Sequence, residues 1–386
     1  MFIVLKKQFL MIPGPTMVPE RVIQAMTRPV INHRGVLFEG LLKDCTQRLK
    51  TVFQTNNDVI LFPSSGTGVM EAAIANFVGK NEKVLALTVG VFGERWAEIA
   101  RRYGADVEVV ATEVGYAIDP KVVEARLAKD TNHEIKVILV THNETSASVT
   151  NDVQAISAAR GSHPALLMVD SVSGLGAMEL KTDDWNLDVV VAGSQKSLMI
   201  PPGIGVMAVS AKAWAKADVT DNPKFYWDAK SARKALEKWQ NPYTPPVSLL
   251  FGLQEALKMI EEEGLATIFV RHRKLRNCIR AAAKALGLKL LAQDYCASNA
   301  VTGIYPPEGV EAKKVQKIMR ETYGVTMAGG QKALEGKIFR IGHMGYCAIS
   351  DVMVTITMLE MTLVELGMKV ELGAGVRAAQ QEWMKA

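Results

Sequence analysis

Ala165-Leu-Leu-Met-Val-Asp170 and Leu187-Asp-Val-Val-Val-Ala192-Gly-Ser-Gln-Lys196 are two short apolar runs, each ending on a reactive side chain. Both are rich in residues that favour strands, and neither alternates with polar residues. That is the pattern of strands covered on both faces. Working outward, the same kind of run recurs at Asp58–Phe62, Lys83–Thr88, Val107–Val110, Ile135–Thr141 and Ile204–Val209. Helical patterns over 67–79, 93–103, 120–129 and 151–160 separate most of them. Strand and helix alternating in this way predict an α/β fold: a mostly parallel, seven-stranded sheet covered by helices. Ligands of such sheets sit beyond the carboxyl ends of the strands.

Lys196 follows Asp170 by 26 residues. If their strands are neighbours, both side chains reach one edge of the sheet. A lysine at a strand end, among small residues and ahead of Pro201-Pro-Gly203, is a candidate Schiff-base nucleophile. A carboxylate beside it suits the pyridinium nitrogen of pyridoxal 5'-phosphate, whose ring works as an electron sink only when that nitrogen is held protonated. Taken singly, Asp170 reads as a turn or cap residue and Lys196 as a solvated one; the pair and its spacing are what point to chemistry. Ser64-Ser-Gly-Thr-Gly68 stands between a strand and a helix, where free N–H groups and hydroxyls suit a phosphate. It matches neither a Walker loop nor a dinucleotide fingerprint. Phe92, just past a strand end, is placed to stack on a planar ring, or else to fill core. Arg340, in Phe339-Arg-Ile-Gly342, suits a carboxylate. Thr141-His-Asn-Glu-Thr-Ser146 also follows a strand; its His142 and Glu144 lack the second cluster a metal site needs, so no metal is expected.

Past residue 240 the pattern changes. Asn241-Pro-Tyr-Thr-Pro-Pro246 opens a helix over about 247–262 that ends near Gly264, and a second helix over about 267–286 follows. From about 288 to 366 the order reads strand, helix, strand, helix, as in a small C-terminal α+β domain. The expected division is an N-terminal segment 1–20 lining the site, a large domain 21–265 and a small domain 266–386. Of the 386 residues, 48% are hydrophobic and 22% charged, and the net charge is +5. These are globular values. The basic excess is scattered, which argues against nucleic acid as a partner. Four separated cysteines without a CxxC argue against a disulfide scaffold or a cysteine-held zinc. No apolar run is long enough to span a membrane, and Lys6-Lys7 interrupts the apolar start, unlike a signal peptide. A cytoplasmic protein is expected.

Taken together, Pro13-Gly-Pro-Thr16, Ser65-Gly-Thr67, Thr141-His-Asn-Glu-Thr145, Val169-Asp-Ser-Val172, Gly193-Ser-Gln-Lys196, Pro201-Pro-Gly203, Tyr243-Thr-Pro245 and Arg340-Ile-Gly342 resemble the class V aminotransferases of pyridoxal-phosphate fold type I. The likeness is to the alanine–glyoxylate and serine–glyoxylate (serine–pyruvate) branch. It implies that Lys196 holds the cofactor covalently and later moves the substrate proton, with Asp170 on the pyridine nitrogen. Ser65, Gly66, Thr67 and Gln195 would hold the phosphate, Thr145 the region of the ring hydroxyl, and Phe92 the ring face. Arg340 would bind the substrate carboxylate, and Gly14 would line the entrance of a small pocket. Thr244, together with Tyr243 or Asn241, would reach the phosphate of a partner subunit, making the active unit a homodimer. The implied reaction moves an amino group from alanine or serine to glyoxylate (or pyruvate). The alternatives are another small donor such as ureidoglycine, a cysteine-desulfurase-like lyase using Cys347, or a non-enzymatic accessory subunit of a redox complex.

Overall fold

The computed structural model describes residues 7–385. Met1 to Lys6, on which the signal-peptide reading partly rests, lie outside the described residues, as does Ala386. A seven-stranded sheet runs in the spatial order Asp58–Phe62, Gly205–Val209, Val189–Gly193, Leu166–Asp170, Ile135–Thr141, Lys83–Thr88, Asp106–Ala111. Only Gly205–Val209 is antiparallel to its neighbours. The strands are apolar throughout because both faces are buried. In Asp58–Phe62, Val59 and Leu61 enter one core while Ile60 and Phe62 enter the other, as a period of two requires. Helices Gly66–Phe77 and Val91–Arg102 close one face; Val36–Phe53, Val153–Arg160 and Val247–Glu263 close the other.

The Pro-rich segment leads into Val247–Glu263, and Gly264, at a φ of +80°, ends it before Leu265–Ala285 begins. Gly suits that left-handed turn because it has no side chain to clash. Leu265–Ala285 spans both regions: Ile268 packs in the large core, while Leu275, Cys278 and Ile279 pack in a third core with the C-terminal elements. The C-terminal part differs from the simple alternation read from sequence. After helix Ala312–Glu321, two strands, Val325–Gly329 and Phe339–Gly342, pair antiparallel before helix Ile349–Glu365. The Gly329-Gly330 and Gly336 positions allow the tight return that a polar stretch between them hides. Phe9–Met11 adds a parallel edge strand beside Val325–Met327, so the N-terminal segment joins the C-terminal sheet. Residues 12–14 then continue to the edge of the large sheet. Among the described residues, no helix is long and apolar enough to cross a membrane.

Candidate active site

Leu166–Asp170 and Val189–Gly193 are paired neighbours, with Asp170 opposite Val191. Asp170 and Lys196 therefore emerge at one sheet edge, into a cavity also lined by Ser65, Thr67, Phe92, Thr145 and Gln195. Asp170 is buried, and its carboxylate accepts one hydrogen bond from a protein group, the Val172 N–H at 2.9 Å. Burial pushes its carboxyl up to about 7, and the nearby Glu144 adds to the rise. Lys196 Nζ donates to the Pro13 carbonyl. Burial brings its ammonium down to about 8; the Arg340 charge adds to the drop, and Asp170 opposes it. A lysine lowered this far has a neutral fraction near neutral pH, as a nucleophile needs. The chain beside it must be bare: a Cβ on Gly14, at a φ of +123°, would stand 2.5 Å from Lys196 Nζ.

Ser65 is the N-cap of Gly66–Phe77, yet its side chain makes no cap bond. The first N–H groups of that helix are thus turned to the cavity with no side chain in their place. Gln195 Oε1 is buried without a partner beside them. Helix Val91–Arg102 starts two residues earlier than the hydrophobic pattern indicates, which puts Phe92 in its first turn. Glu144 is the cause. Its Oε2 accepts from the Phe92 and Gly93 N–H groups at 3.0 and 3.1 Å, and its Oε1 from Ser146 Oγ at 2.5 Å. Ser146 Oγ in turn accepts from the Val91 N–H at 3.0 Å. A carboxylate at a helix start is favoured by the local dipole. Nothing in the sequence links Glu144 to a helix 52 residues away. Asn143, Val172 and Ser173 also line the cavity and were not anticipated. Arg95 lines it too; its one available signal was its place three residues after Phe92, on the same helix face.

Arg340 lies behind Thr145. Its Nη1 donates to the Thr145 carbonyl at 2.7 Å and its Nε to the Gly329 carbonyl at 2.8 Å. Burial lowers its guanidinium to about 10. Tyr243 and Thr244 do not join this chain's cavity. Tyr243 stacks on Tyr226 at 5.4 Å, and its hydroxyl donates to the Phe225 carbonyl at 3.2 Å; Thr244 is exposed. Arg34, from Asn32-His-Arg34, pins their loop by donating to the carbonyls of Asn241 and Pro242 at 2.7 and 3.1 Å. Cys347 is buried, and burial pushes its thiol up to about 12, far from the thiolate that a desulfurase nucleophile needs.

The chain as a whole is similar to known proteins. The family model for class-V aminotransferases matches residues 8–360. The soluble hydrogenase 42 kDa subunit of Anabaena cylindrica is 44% identical over 97% of this chain and 98% of its own length. The serine–glyoxylate aminotransferase of Methylorubrum extorquens is 41% identical, over 97% of this chain and 95% of its own. The crystal structure of ureidoglycine–glyoxylate aminotransferase from Bacillus subtilis superposes with a TM-score of 0.93 at 29% identity, covering 99% of this chain and 100% of that one. Fold and sequence agree: this chain belongs to the class V aminotransferases and is an enzyme that transfers amino groups.

Proposed function

We propose that the enzyme uses pyridoxal 5'-phosphate to move an amino group from a small amino acid, alanine or serine, to glyoxylate (or pyruvate), in two half-reactions. The observation that carries the cofactor reading is the pairing of Asp170 with Lys196 at one sheet edge, beside an uncapped helix start. The residues fit the group. Asp170 has room for a partner that would favour its charged form, and a pyridinium N–H is such a partner. Lys196 is lowered enough to act as an amine, and the helix start offers donors to a phosphate. When bound, the cofactor supplies an electron sink for the donor's α-carbon.

The chain's own residues then divide the work. Lys196 Nζ holds the cofactor and, once released by the incoming donor, takes the proton from the donor's α-carbon. Asp170 keeps a proton on the pyridine nitrogen. Ser65, Gly66, Thr67 and Gln195 orient the phosphate, Thr145 the ring's polar edge, and Phe92 its face. Arg340 presents the part of its guanidinium not held by the Thr145 and Gly329 carbonyls to the donor's carboxylate. Glu144 fixes the turn that carries Phe92. Gly14 leaves Lys196 uncovered. Glyoxylate as acceptor and serine as donor are supported by the names of the relatives and by a clamp built for one carboxylate.

Thr244 is exposed on a loop beside Phe225, itself 76% exposed, an apolar surface suited to a second copy of the chain. We therefore propose a homodimer in which Tyr243 and Thr244 complete the partner's phosphate site, working in the cytoplasm. The test is the visible spectrum of the purified holoprotein. Alanine or serine should bleach the absorption of lysine-bound cofactor, glyoxylate should restore it, and Lys196→Ala should show neither change, with turnover down roughly 10^4-fold or more. Much faster bleaching by aspartate or glutamate would overturn the donor assignment. Failure to take up the cofactor would overturn the cofactor reading.

A further inference from the structure

We propose that Arg95 binds the phosphate group of the cofactor and supplies the positive charge that the helix-start loop lacks. The inference rests on the cofactor reading above and assigns a residue that the family-like motifs do not include. Ser65-Gly-Thr67 offers N–H groups and hydroxyls but no cation. A phosphate monoester carries nearly two negative charges at neutral pH. The other two cations of the site are committed elsewhere: Lys196 to the Pro13 carbonyl, and Arg340 to the carbonyls of Thr145 and Gly329.

Arg95 stands where the charge is needed. Its Nη1 donates to Thr67 Oγ1 at 3.0 Å, at the mouth of helix Gly66–Phe77. Because Thr67 accepts that bond, its own hydroxyl hydrogen is free to point at a phosphate oxygen. The guanidinium lies 4.8 Å from the centre of the Phe92 ring, which holds it in place by a cation–π contact. Arg95 is half-buried, and among the described residues no carboxylate pairs with it. Its helix neighbours are paired: Arg101 and Arg102 with Glu98, and Glu94 with Lys332. A half-buried guanidinium without a counter-ion is a standing cost that an anion removes. Its planar fork of donors matches a phosphate in two places at once.

The experiment compares two ligands that differ only in the phosphate. Apoprotein is titrated with pyridoxal 5'-phosphate and with pyridoxal, following the quenching of tryptophan fluorescence, for wild type, Arg95→Gln and Arg95→Lys. Arg95→Gln should weaken pyridoxal 5'-phosphate roughly 10- to 100-fold and leave pyridoxal unchanged. Arg95→Lys, which keeps the charge but loses the fork, should fall between. Inorganic phosphate should compete with pyridoxal 5'-phosphate less well on the Gln variant than on wild type. Equal weakening of both ligands in both variants would mean that Arg95 only supports Phe92, and it would overturn the proposal. So would unchanged binding of pyridoxal 5'-phosphate with a selective rise in KM for an aspartate donor, which would make Arg95 a side-chain clamp. Wild-type protein that binds neither ligand would instead bring down the cofactor reading itself.

Discussion

Asp170 at the carboxyl edge of the large sheet and Asp188 and Asp130 at its amino edge are all buried, but they keep different company. Asp188 meets Arg160 Nη1 at 2.5 Å and also accepts from the Leu167 N–H at 2.8 Å and Ser210 Oγ at 3.3 Å. Asp130 accepts from the N–H groups of Glu134 and Ile135 at 3.1 and 2.8 Å and meets His163 Nε2 at 3.1 Å. Burial works to raise the Asp130 carboxyl, but the backbone donors and the imidazole outweigh it and hold the carboxyl below its usual range. Asp170, with one backbone donor, is instead pushed up to about 7. The amino edge spends its buried charge on holding the fold. The carboxyl edge leaves its charge under-satisfied, available to a ligand.

The widest separation between the two edges should come from matched substitutions. Asp188→Ala strands the buried Arg160 and should lose about 3–5 kcal/mol in chemical denaturation, with little change in turnover per folded molecule. Asp170→Asn should do the reverse, lowering turnover roughly 10^2- to 10^3-fold while leaving the apoprotein as stable or more so. The sign follows from linkage. A carboxyl raised from 3.8 to about 7 favours its neutral form in the folded state, so its stabilisation is full below pH 4 and is lost as pH rises toward 7. Removing the group should recover on the order of 4 kcal/mol at pH 8 in apoprotein. If Asp170→Asn proved less stable than wild type across that range, the carboxylate would be a fold-holding group like Asp188.

A smaller effect should appear in the pH dependence of cofactor capture. Lys196 is lowered from 10.5 to about 8, first by burial and then by the Arg340 charge. The capture rate of apoprotein should therefore climb through pH 8 as the amine loses its proton. Arg340→Gln removes one of the lowering influences, so the midpoint should move upward, by up to about one pH unit, or about 1.4 kcal/mol. Stopped-flow absorbance over pH 6–10 measures it. An unmoved midpoint would mean that Arg340 does not tune the lysine.

Much of the carboxyl edge was legible in the sequence because its residues sit at strand ends, and strand ends were marked by apolar runs. Asp170, Lys196 and the Ser65 loop are placed by local pattern, and the parallel topology carries them to one cavity. Arg95 and Glu144 were not legible as site residues. Arg95 lies inside the helix that periodicity predicts, but no local pattern marks it as facing the cavity, and the helix start at Val91 is held by Glu144 from another strand. The antiparallel return before Phe339–Gly342 was missed for a similar reason: its turn is made by glycines and polar residues without periodicity. Local periodicity reports elements, whereas capping between distant segments decides where an element starts and which side chain it presents.

The finest distinction lies between two helix starts. Asp152 caps Val153–Arg160 by accepting from the Ala155 N–H at 2.9 Å. Ser65 occupies the same position at the start of Gly66–Phe77, but its side chain makes no cap bond to that turn. Asp152→Ala should therefore cost about 1 kcal/mol in both apoprotein and holoprotein. Ser65→Ala should change apoprotein by less than about 0.5 kcal/mol, yet weaken pyridoxal 5'-phosphate several-fold, about 1 kcal/mol, through one lost hydrogen bond. Melting with and without saturating cofactor separates the two, because a ligand that binds only the folded state adds stability in proportion to its affinity. A Ser65 variant destabilised equally in both states would show that its hydroxyl serves the helix, and the open end of Gly66–Phe77 would lose its claim to the phosphate.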